Sequence, residues 1–294
     1  MTQLVQALVL GLLIGGVYAL MASGLTLIFG VMNIINVAHG ALLILVAFLS
    51  WKVWSVTGAD PILLSIVVMT PLMFGVGWLL YKGLLSRISG SSPGMSVLLT
   101  FGLAITIEGI LNVTAGNKFR SATPSYFNQS FRVLGIALPK AQLYGSLAAL
   151  LVLGLLYLVL TRTWSGRAIR ATAQNASGAA LVGVRSAGVA ALAFALGVAT
   201  TGVGGSVLSV LYPFFPASHY DWISRLLGII VLGGMGSMPG ALVGALLLGL
   251  AETLTSTYLS LQWSTLIFYA VIMVVLLFRP QGLFGARLRQ DVTA

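Results

Sequence analysis

Residues 30–40 read Gly-Val-Met-Asn-Ile-Ile-Asn-Val-Ala-His-Gly, and this stretch decides how the whole chain is interpreted. Three polar residues, Asn33, Asn36 and His39, recur at three-residue spacing within an apolar run that has no formal charge before Lys52. Polar groups at membrane depth have no water to bind, so they need partners inside the protein. The stretch therefore predicts an interrupted membrane helix and a candidate site at the interruption.

A break in a helix leaves unpaired backbone N–H groups at the start of the half-helix that follows, here residues 41–50. Asn and Gly are the residues that tolerate such a break. The start of the half-helix carries roughly half a positive charge, which orients a passing carboxylate or carbonyl without binding it tightly. The alternative interpretation is that the polar side chains only hydrogen-bond neighbouring helices.

Composition places the chain in a membrane. It has 294 residues, of which 59% are hydrophobic and only 7% are charged, against roughly 25% charged residues in a soluble domain. No stretch is typical of a separate soluble domain, so we expect residues 1–294 to form one transmembrane domain. The net charge of +10 is scattered through loops, which indicates membrane topology and not nucleic-acid binding. Cysteine is absent, which excludes disulfides and thiol nucleophiles.

A helix needs about 20 apolar residues to cross the roughly 30 Å hydrocarbon core of a bilayer. Runs of about that length are residues 61–81, 95–115, 142–160, 186–212 and 261–278. Residues 4–31 exceed one crossing, so we expect a full span and then a short broken segment around residues 24–35. The predicted fold class is all-α, a polytopic membrane protein with about ten transmembrane helices, or eight if the interruptions are re-entrant loops.

A second interruption, Gly-Gly-Met-Gly-Ser-Met-Pro-Gly, occupies residues 233–240 between two apolar runs. It repeats the order of the first, a short helix, a flexible joint and a longer helix, and so predicts two broken helices in pseudo-repeated halves. Paired interruptions of this kind point to a transport path at the interface of internal repeats. The residues predicted to line that path are Asn33, Asn36, His39, Gly40, Gly233, Gly234 and Gly236.

Basic residues predict which loops face the cytoplasm. The loop 161–185 holds four basic residues and no acidic one, and the tail after residue 278 holds Arg279, Arg287 and Arg289 against Asp291. If both are cytoplasmic, an even number of crossings separates them, so residues 222–255 count as two crossings. With ten helices, both termini would then lie inside.

The loop 161–185 contains a segment suited to docking. Ser165 is expected to cap a short Ala-rich helix on which Arg167, Arg170 and Gln174 form a polar stripe. The helix is too polar to span and too poor in bulky apolar residues to anchor in lipid. We expect it to enter a groove on a partner protein, with its arginines pairing with partner carboxylates. The alternative is an interfacial helix that lies on acidic headgroups.

The chain lacks the motifs of an enzyme. The phosphate loop needs Gly-Lys, whereas the lysines follow Trp, Tyr, Asn and Pro. If transport is driven by ATP, a separate subunit must supply the ATPase. His39 and His219 have no zinc-binding spacing. We therefore predict no catalytic activity, no metal site and no cofactor.

Two carboxylates, Glu108 and Glu252, lie inside apolar runs. Placing a charged residue at a helix centre costs about 2.5–3.5 kcal/mol on insertion scales, so each must face a cavity, find a partner or be protonated. No intramembrane Lys or Arg is expected to pair with them, and Asn112 is the predicted partner of Glu108 on its own helix face. The two acids are either hydrogen-bonded packing groups or members of a proton relay.

Four motifs, in order, resemble a known family. They are G-x-x-Y-A-L-x-A-x-G-L-x-L-I-F-G from Gly15, N-V-A-H-G from Asn36, G-R-A-I-R-A-x-A-Q from Gly166, and G-G-M-G-S-x-x-G-A-x-x-G from Gly233. Together they resemble the inner-membrane permease subunit of bacterial branched-chain amino acid ABC importers. The resemblance runs from about residue 11 to residue 282. The chain departs from that family at Ala41 and Asn175, where relatives often carry an acidic residue.

The resemblance implies a set of partners and a membrane. These are a second permease, homologous or identical, two cytoplasmic ATP-binding subunits and a periplasmic or extracellular solute-binding protein, assembled in the lipid bilayer of the bacterial inner membrane. It also implies an ATPase-coupling role for Gly166, Arg167, Arg170, Gln174, Asn175 and Gly183. The expected solute is a branched-chain or other small apolar amino acid. Urea and amide permeases share these motifs, and a stand-alone proton-coupled transporter is the rival hypothesis.

Overall fold

The computed structural model describes residues 2–88, 93–133 and 135–285. Its helices are α1 (Thr2–Met32), α2 (Ala38–Thr57), α3 (Pro61–Leu64), α4 (Thr70–Gly83), α5 (Pro93–Ala115), α6 (Lys140–Arg162), α7 (Trp164–Gln174), α8 (Ala176–Leu181), α9 (Ser186–Leu211), α10 (His219–Gly233), α11 (Met238–Tyr258) and α12 (Leu261–Phe278). A π-helical turn, Ser65–Met69, joins α3 to α4, and short 3₁₀ turns occupy Leu85–Ile88 and Pro216–Ser218. Strands β1 (Ser130–Val133) and β2 (Ile136–Pro139) form an antiparallel hairpin that pairs Ser130 with Pro139.

Within the described part of the chain, eight helices are long and apolar enough to cross a membrane. The all-α polytopic prediction is confirmed, and the number of long apolar helices is eight, the alternative that was predicted beside about ten. The main reason is α1, a single helix of 31 residues that is about 46 Å long at 1.5 Å per residue. The broken segment predicted around residues 24–35 is therefore largely the end of α1. Helix α10 has only 15 residues and is too short to be counted among the eight.

Glycines let the longest helices pack at backbone distance. A Cβ atom added to Gly11 or Gly15 of α1 would lie 2.9 Å from the Cα atom of Leu250 or Leu246 in α11. Since only a residue without a side chain permits this approach, the small residues of α1 fix its contact with α11. The same device joins α4 to α9, where a Cβ added to Gly77 would lie 2.9 Å from the Cα atom of Ala195.

The helices form two units that run in opposite directions. The first is α1, α2, the joined α3 and α4, and α5, and the second is α9, α10, α11 and α12. Their leading helices cross antiparallel, with Gly24 against Gly197 and Met21 against Gly204. The leading helix of each unit packs against the third element of the other, α1 on α11 and α9 on α4. This exchange is the arrangement of an inverted-topology repeat.

The inverted repeat corrects the pairing of the two interruptions. The break between α1 and α2, residues 33–37, corresponds to residues 212–218 between α9 and α10. The glycine-rich residues 233–240 instead form a tight hairpin between α10 and α11, in which Gly234 and Gly236 have φ angles of 100° and 81°. The hairpin is recognisable in the sequence because its turn requires glycine. Residues 212–218 carry no such signal, because tertiary contacts such as the backbone pairing of Arg120 with Phe214 hold them in place.

Helix packing also settles the relative position of the chain ends. Gly30 and Val31 at the end of α1 line the same cavity as Arg170 of α7, so α1 ends on the side that carries α7 and begins on the opposite side. The amino end of α1 is thus not on the α7 side, and the prediction that both termini share one side is wrong. The segment after α12 does lie on the α7 side. The N–H groups of Leu283 and Phe284 donate to the carbonyls of Leu232 and Gly233, where α10 enters the hairpin. Arg287 and Arg289 fall outside the described residues.

Replacing Gly15 with Ala is expected to lower the stability of the protein. Its new methyl group would meet the α11 backbone, and overpacking of this kind costs about 1–3 kcal/mol. Gly16→Ala is the matched control, because nothing lies within 4 Å of a Cβ at that position on the same helix. The measurement is the thermal unfolding midpoint of the detergent-solubilised chain, and equal midpoints for the two variants would contradict the packing described.

Candidate functional site

The first interruption is where the sequence predicts it. Helix α1 ends at Met32, and Asn33 adopts the left-handed conformation with a φ angle of 52°. The Asn33 N–H still donates to the Phe29 carbonyl at 2.8 Å, which closes the last turn of α1. Asn is among the few residues that visit this conformation routinely. Residues 34–37 are then non-helical until α2 begins at Ala38.

A threonine on another helix holds this non-helical segment. The Val37 N–H donates to Thr100 Oγ1 of α5 at 3.2 Å. The same hydroxyl lies 2.9 Å from the Ser96 carbonyl and 3.4 Å from the Ile35 carbonyl. Thr100 is completely buried and was missed by the sequence analysis, because a Thr inside an apolar run carries no distinctive signal. It satisfies part of the backbone exposed by the break.

Asn36 and His39 are both fully buried at this break, but their side chains differ in the hydrogen bonds that they form. Neither Oδ1 nor Nδ2 of Asn36 has a hydrogen-bond partner among the described residues. His39 Nε2 lies 3.2 Å from the Met21 carbonyl of α1, whereas its Nδ1 has no partner in the same set. A buried amide without partners costs a few kcal/mol in the free energy of folding. Asn36 thus lacks the neighbouring-helix bond that a packing role requires.

Two helices begin next to each other at this point. Among the described residues, no side chain caps the start of α2 or the start of α10. A Cβ added to Gly40, in the first turn of α2, would lie 2.6 Å from the carbonyl oxygen of His219, the first residue of α10. Only glycine permits this contact. Since each helix start carries a partial positive charge, the junction favours a negatively charged or carbonyl group.

Glu108 is paired with a residue of this junction. Its Oε2 lies 2.9 Å from His219 Nε2, and the ring of His219 packs against Tyr220 with centroids 4.0 Å apart. The predicted partner, Asn112, does not take part: its Oδ1 is buried without a hydrogen bond to any described residue. Glu108 therefore joins α5 to the start of α10 and not to its own helix.

Glu252 is paired with Arg225, and here the sequence analysis was wrong. Arg225 Nη1 of α10 lies 2.9 Å from Glu252 Oε1 of α11, so an intramembrane cation does exist. The side chains are 19% and 13% exposed. In the sequence, Arg225 directly precedes the apolar residues 226–232, so it is not recognised there as an intramembrane residue. The helical spacing of Trp222, Arg225 and Ile229 places them on one face and was the available signal.

Two tyrosines complete this second cluster. Tyr18 of α1 donates its hydroxyl hydrogen to Glu252 Oε2 at 2.8 Å, and Tyr212 OH lies 3.3 Å from Tyr18 OH. Trp222 meets both rings edge-on, with centroid separations of 6.0 and 5.2 Å. The cluster ties α10 to α1 and α11. Together with the Glu108 pair, it anchors the short α10 at two points.

The predicted path residues therefore fall into two groups. Asn36, His39 and Gly40 lie at the junction of α2 and α10. Gly233, Gly234 and Gly236 lie in the α10–α11 hairpin on the α7 side, where a Cβ on Gly236 would be 3.3 Å from Gly30. Asn33 is exposed and follows the α1 end close to that hairpin. The structure does not bring all seven residues into one site.

The predicted docking loop folds as two helices. Thr163, not Ser165, caps α7 by accepting the Gly166 N–H at 3.0 Å. Helix α7 then ends at Asn175, whose side chain caps α8 by accepting the Gly178 N–H at 2.8 Å. Gly183, with a φ angle of 86°, follows the end of α8. Asn175 interrupts what the Ala-rich composition predicts as one helix.

Gly166 and Arg170 fix α7 against the end of α6. A Cβ added to Gly166 would lie 2.2 Å from the Val159 carbonyl oxygen, so only glycine allows the chain to fold back this closely. Arg170 Nη1 donates to the Leu160 carbonyl of α6. Arg167 is exposed, and its side chain makes no such contact within the described structure. Gln174 and Asn175 are exposed as well. These side chains are available to a partner, and Arg170 is exposed as well, although its Nη1 donates to α6.

Comparison with known proteins defines the class. Residues 7–277 match the family described as branched-chain amino acid transport system / permease component, and the chain belongs to this family. It is a multi-pass membrane transport subunit and not an enzyme.

Individual relatives cover nearly the whole chain. The high-affinity branched-chain amino acid transport system permease protein LivH of Escherichia coli K12 is 28% identical over 94% of this chain and 93% of its own. The corresponding protein BraD of Pseudomonas aeruginosa is 29% identical over 95% of each. The autoinducer 2 import system permease protein LsrC of Escherichia coli O9:H4 is 27% identical over 83% of this chain and 75% of its own. No solved structure matches the chain significantly.

The Arg225–Glu252 pair yields a prediction about stability. Replacing Glu252 with Gln leaves the Arg225 charge uncompensated, and breaking a buried pair in this way costs up to about 3–5 kcal/mol. Combining Glu252→Gln with Arg225→Met removes both charges and should recover much of the loss. Thermal unfolding of the wild type, both single variants and the double variant measures the coupling. Strictly additive losses would show that the two side chains do not interact.

Proposed function

We propose that this permease subunit imports branched-chain or other small apolar amino acids across a bacterial inner membrane, with energy supplied by partner ATPases. The observation that carries the proposal is the junction of the α2 and α10 starts, where the fully buried Asn36 has no partner among the described residues. The names of the LivH and BraD relatives support the solute class. We propose that residues 1–294 work as one transmembrane domain.

The path would run past the junction formed by Asn36, His39 and Gly40. The carboxylate of an amino acid meets two partially positive helix starts there, and the Asn36 amide can both donate to and accept from the solute. These are partial charges, so the solute is oriented and released without tight binding. Asn33, Gly233, Gly234 and Gly236 would border the path nearer its cytoplasmic end, where the chain bends tightly.

The cytoplasmic side would be the α7 side, where loop 161–185 binds the ATPase subunits. The exposed Arg167, Gln174 and Asn175 provide charged and polar groups for a partner groove. Leu181 and Val182 are 89% and 80% exposed and add an apolar tip to this surface. Gly166, Gly183 and Arg170 would shape the loop and hold it to the membrane helices. The complete assembly would contain a second permease, two ATP-binding subunits and a solute-binding protein.

Helix α10 is the element through which closure of the partners would reach the path. One end of α10 is in contact with Gly40, and the other enters the hairpin on the α7 side. The His219–Glu108 hydrogen bond and the Arg225–Glu252 ion pair hold it between α5 and α11. Rocking one repeat unit against the other would shift α10 and so open or close the junction. The two carboxylates then serve to position α10.

The pairing of Glu252 with a permanent cation counts against the rival of a stand-alone proton-coupled transporter. A relay needs carboxylates that exchange protons, whereas Glu252 is bound by Arg225 and Tyr18. The solute class is a separate question, because the LsrC relative is named for autoinducer 2 import. A urea or amide permease is the alternative within the family.

Asn36→Leu is expected to reduce uptake at least tenfold without loss of stability. Leu has a similar size but removes an unpaired buried amide, so the free energy of unfolding should not fall, whereas the polar contact with the solute is lost. The measurement is leucine uptake into proteoliposomes that contain the complete transporter, followed with the thermal unfolding midpoint.

Asn112→Leu is the matched control for this change, since Asn112 also has a buried side-chain atom without a described partner but lies on α5 and is not one of the junction residues Asn36, His39 and Gly40. Uptake should remain near the wild-type level in that variant. Unchanged uptake in Asn36→Leu would remove Asn36 from the path. Uptake of urea or an amide in preference to leucine would reassign the solute.

Arg167→Glu should abolish co-purification of the ATPase subunits and reduce ATP-driven uptake at least tenfold, because it reverses a charge on the exposed face of α7. Arg132→Glu is the control, since Arg132 is exposed in β1, outside loop 161–185. Normal ATPase binding by Arg167→Glu would contradict the docking role. Solute flux driven by a pH gradient through the purified chain alone would overturn the proposed energy source.

A further inference from the structure

A cavity of about 470 Å³ lies between α1, α6, α7 and α11. Neither α2 nor α10 contributes to its lining, so it is separate from their junction, although Gly236 of the α10–α11 hairpin lies at its edge. Small side chains of α1 form its inner wall, and larger apolar side chains of α6 and α11 form its sides. Representative lining residues are Ala19, Ser23, Leu27, Leu153, Tyr157 and Leu242.

The walls of this cavity offer almost no polar partner. The hydroxyls of Ser23 and Thr26 donate to carbonyls of their own helix, at 2.7 and 2.8 Å. None of the described residues that line the cavity is acidic, and Arg170 is the only charged one among them. An amino acid zwitterion would therefore find no carboxylate for its ammonium group, so the cavity does not suit the transported solute.

Arg170 and Gln174 lie where the cavity reaches α7. Arg170 uses Nη1 to hold the Leu160 carbonyl, and a guanidinium has five N–H donors in all. Arg162 and Arg167 are exposed nearby, and loop 161–185 contains no acidic residue. An apolar cavity at membrane depth thus ends at a cationic rim.

We propose that this cavity binds one acyl chain of an anionic phospholipid, whose phosphate is held by Arg170. The chain would fill the apolar space between α1, α6 and α11, and the headgroup would lie at the level of α7. Basic pockets between membrane helices on the cytoplasmic side are suited to anionic headgroups. Charge complementarity separates this ligand from a zwitterionic lipid, which gains little from an unopposed arginine.

A lipid in this position would contact the docking helix directly. Ile169 and Ala173 of α7 line the cavity together with residues of α1 and α6. The bound chain would therefore fill space beneath α7 and support its position on the membrane helices. This inference does not depend on which solute the permease carries.

The test is retention of phosphatidylglycerol by the full-length chain purified in detergent, measured by native mass spectrometry. Phosphatidylcholine serves as the reference lipid. Arg170→Gln should reduce phosphatidylglycerol retention at least tenfold, because the phosphate loses its cation. Arg167→Gln is the matched control on the same helix, as Arg167 does not line the cavity, and it should retain the lipid.

A second pair of variants tests the apolar part. Leu153→Trp should fill the cavity and displace the lipid, whereas Leu155→Trp, at an exposed position of the same helix, should not. If Leu153→Trp fails to fold by circular dichroism, Ala19→Leu fills the same cavity from α1. Added phosphatidylglycerol should raise the thermal unfolding midpoint only in the wild type and in the two controls, Arg167→Gln and Leu155→Trp.

Three outcomes would overturn the proposal. The first is equal retention of the two lipids, or equal retention by all variants. The second is a rise of the thermal unfolding midpoint with inorganic phosphate that equals the rise with phosphatidylglycerol, which would show that Arg170 binds a free anion and not a lipid. The third is loss of a dimer mass in Leu153→Trp with lipid retention unchanged, which would assign the cavity to a second copy of the chain.

Discussion

The absence of water inside a bilayer is the constraint on which the structure depends, because every backbone N–H and C=O at membrane depth must find a partner within the protein. The chain nevertheless interrupts its helices within the membrane region, at residues 33–37 and 212–218. Thr100 satisfies part of the first break, and the backbone pairing of Phe214 with Arg120 satisfies part of the second. The two helix starts that remain lie against each other at Gly40. The proposed site for a polar solute rests on this arrangement, since the unsatisfied groups are gathered in one place and surrounded by apolar helices.

The same arrangement makes α10 the most constrained short element of the fold. It begins at one interruption and ends in the glycine hairpin. The hydrogen bond of His219 to Glu108 and the ion pair of Arg225 with Glu252 fix it between helices of both repeat units. Buried ion pairs are poor stabilisers compared with apolar packing, so their use here points to positioning. A helix held at defined points, with its start at the junction, is suited to move as a unit when one repeat rocks against the other.

Helix α7 is linked to the membrane helices by backbone proximity to α6 and by an apolar cluster in which Ala168 and Ile169 pack with residues of α1, α6 and α9. Gly166 allows it to lie on the end of α6, and Arg170 donates to an α6 carbonyl. The space beside it, between α1, α6 and α11, is left as an apolar cavity with a basic rim. The polar face that remains exposed is the part of the chain that a partner can reach. The proposed docking of a partner and the proposed lipid site both depend on how α7 is held against the membrane helices.

The sequence by itself determined the class of fold, the break between Asn33 and Gly40, the basic loop and the family, because hydropathy, charge and glycine patterns are local properties of the chain. Only the tertiary structure decided which elements meet. The partner of Glu252 is Arg225, 27 positions away on another helix, and no local pattern reports such a pair. The same holds for the single long α1 and for the match between the two interruptions, since both are fixed by packing across the inverted repeat. Contacts between distant segments depend on how helices cross, and that is a property of the folded chain.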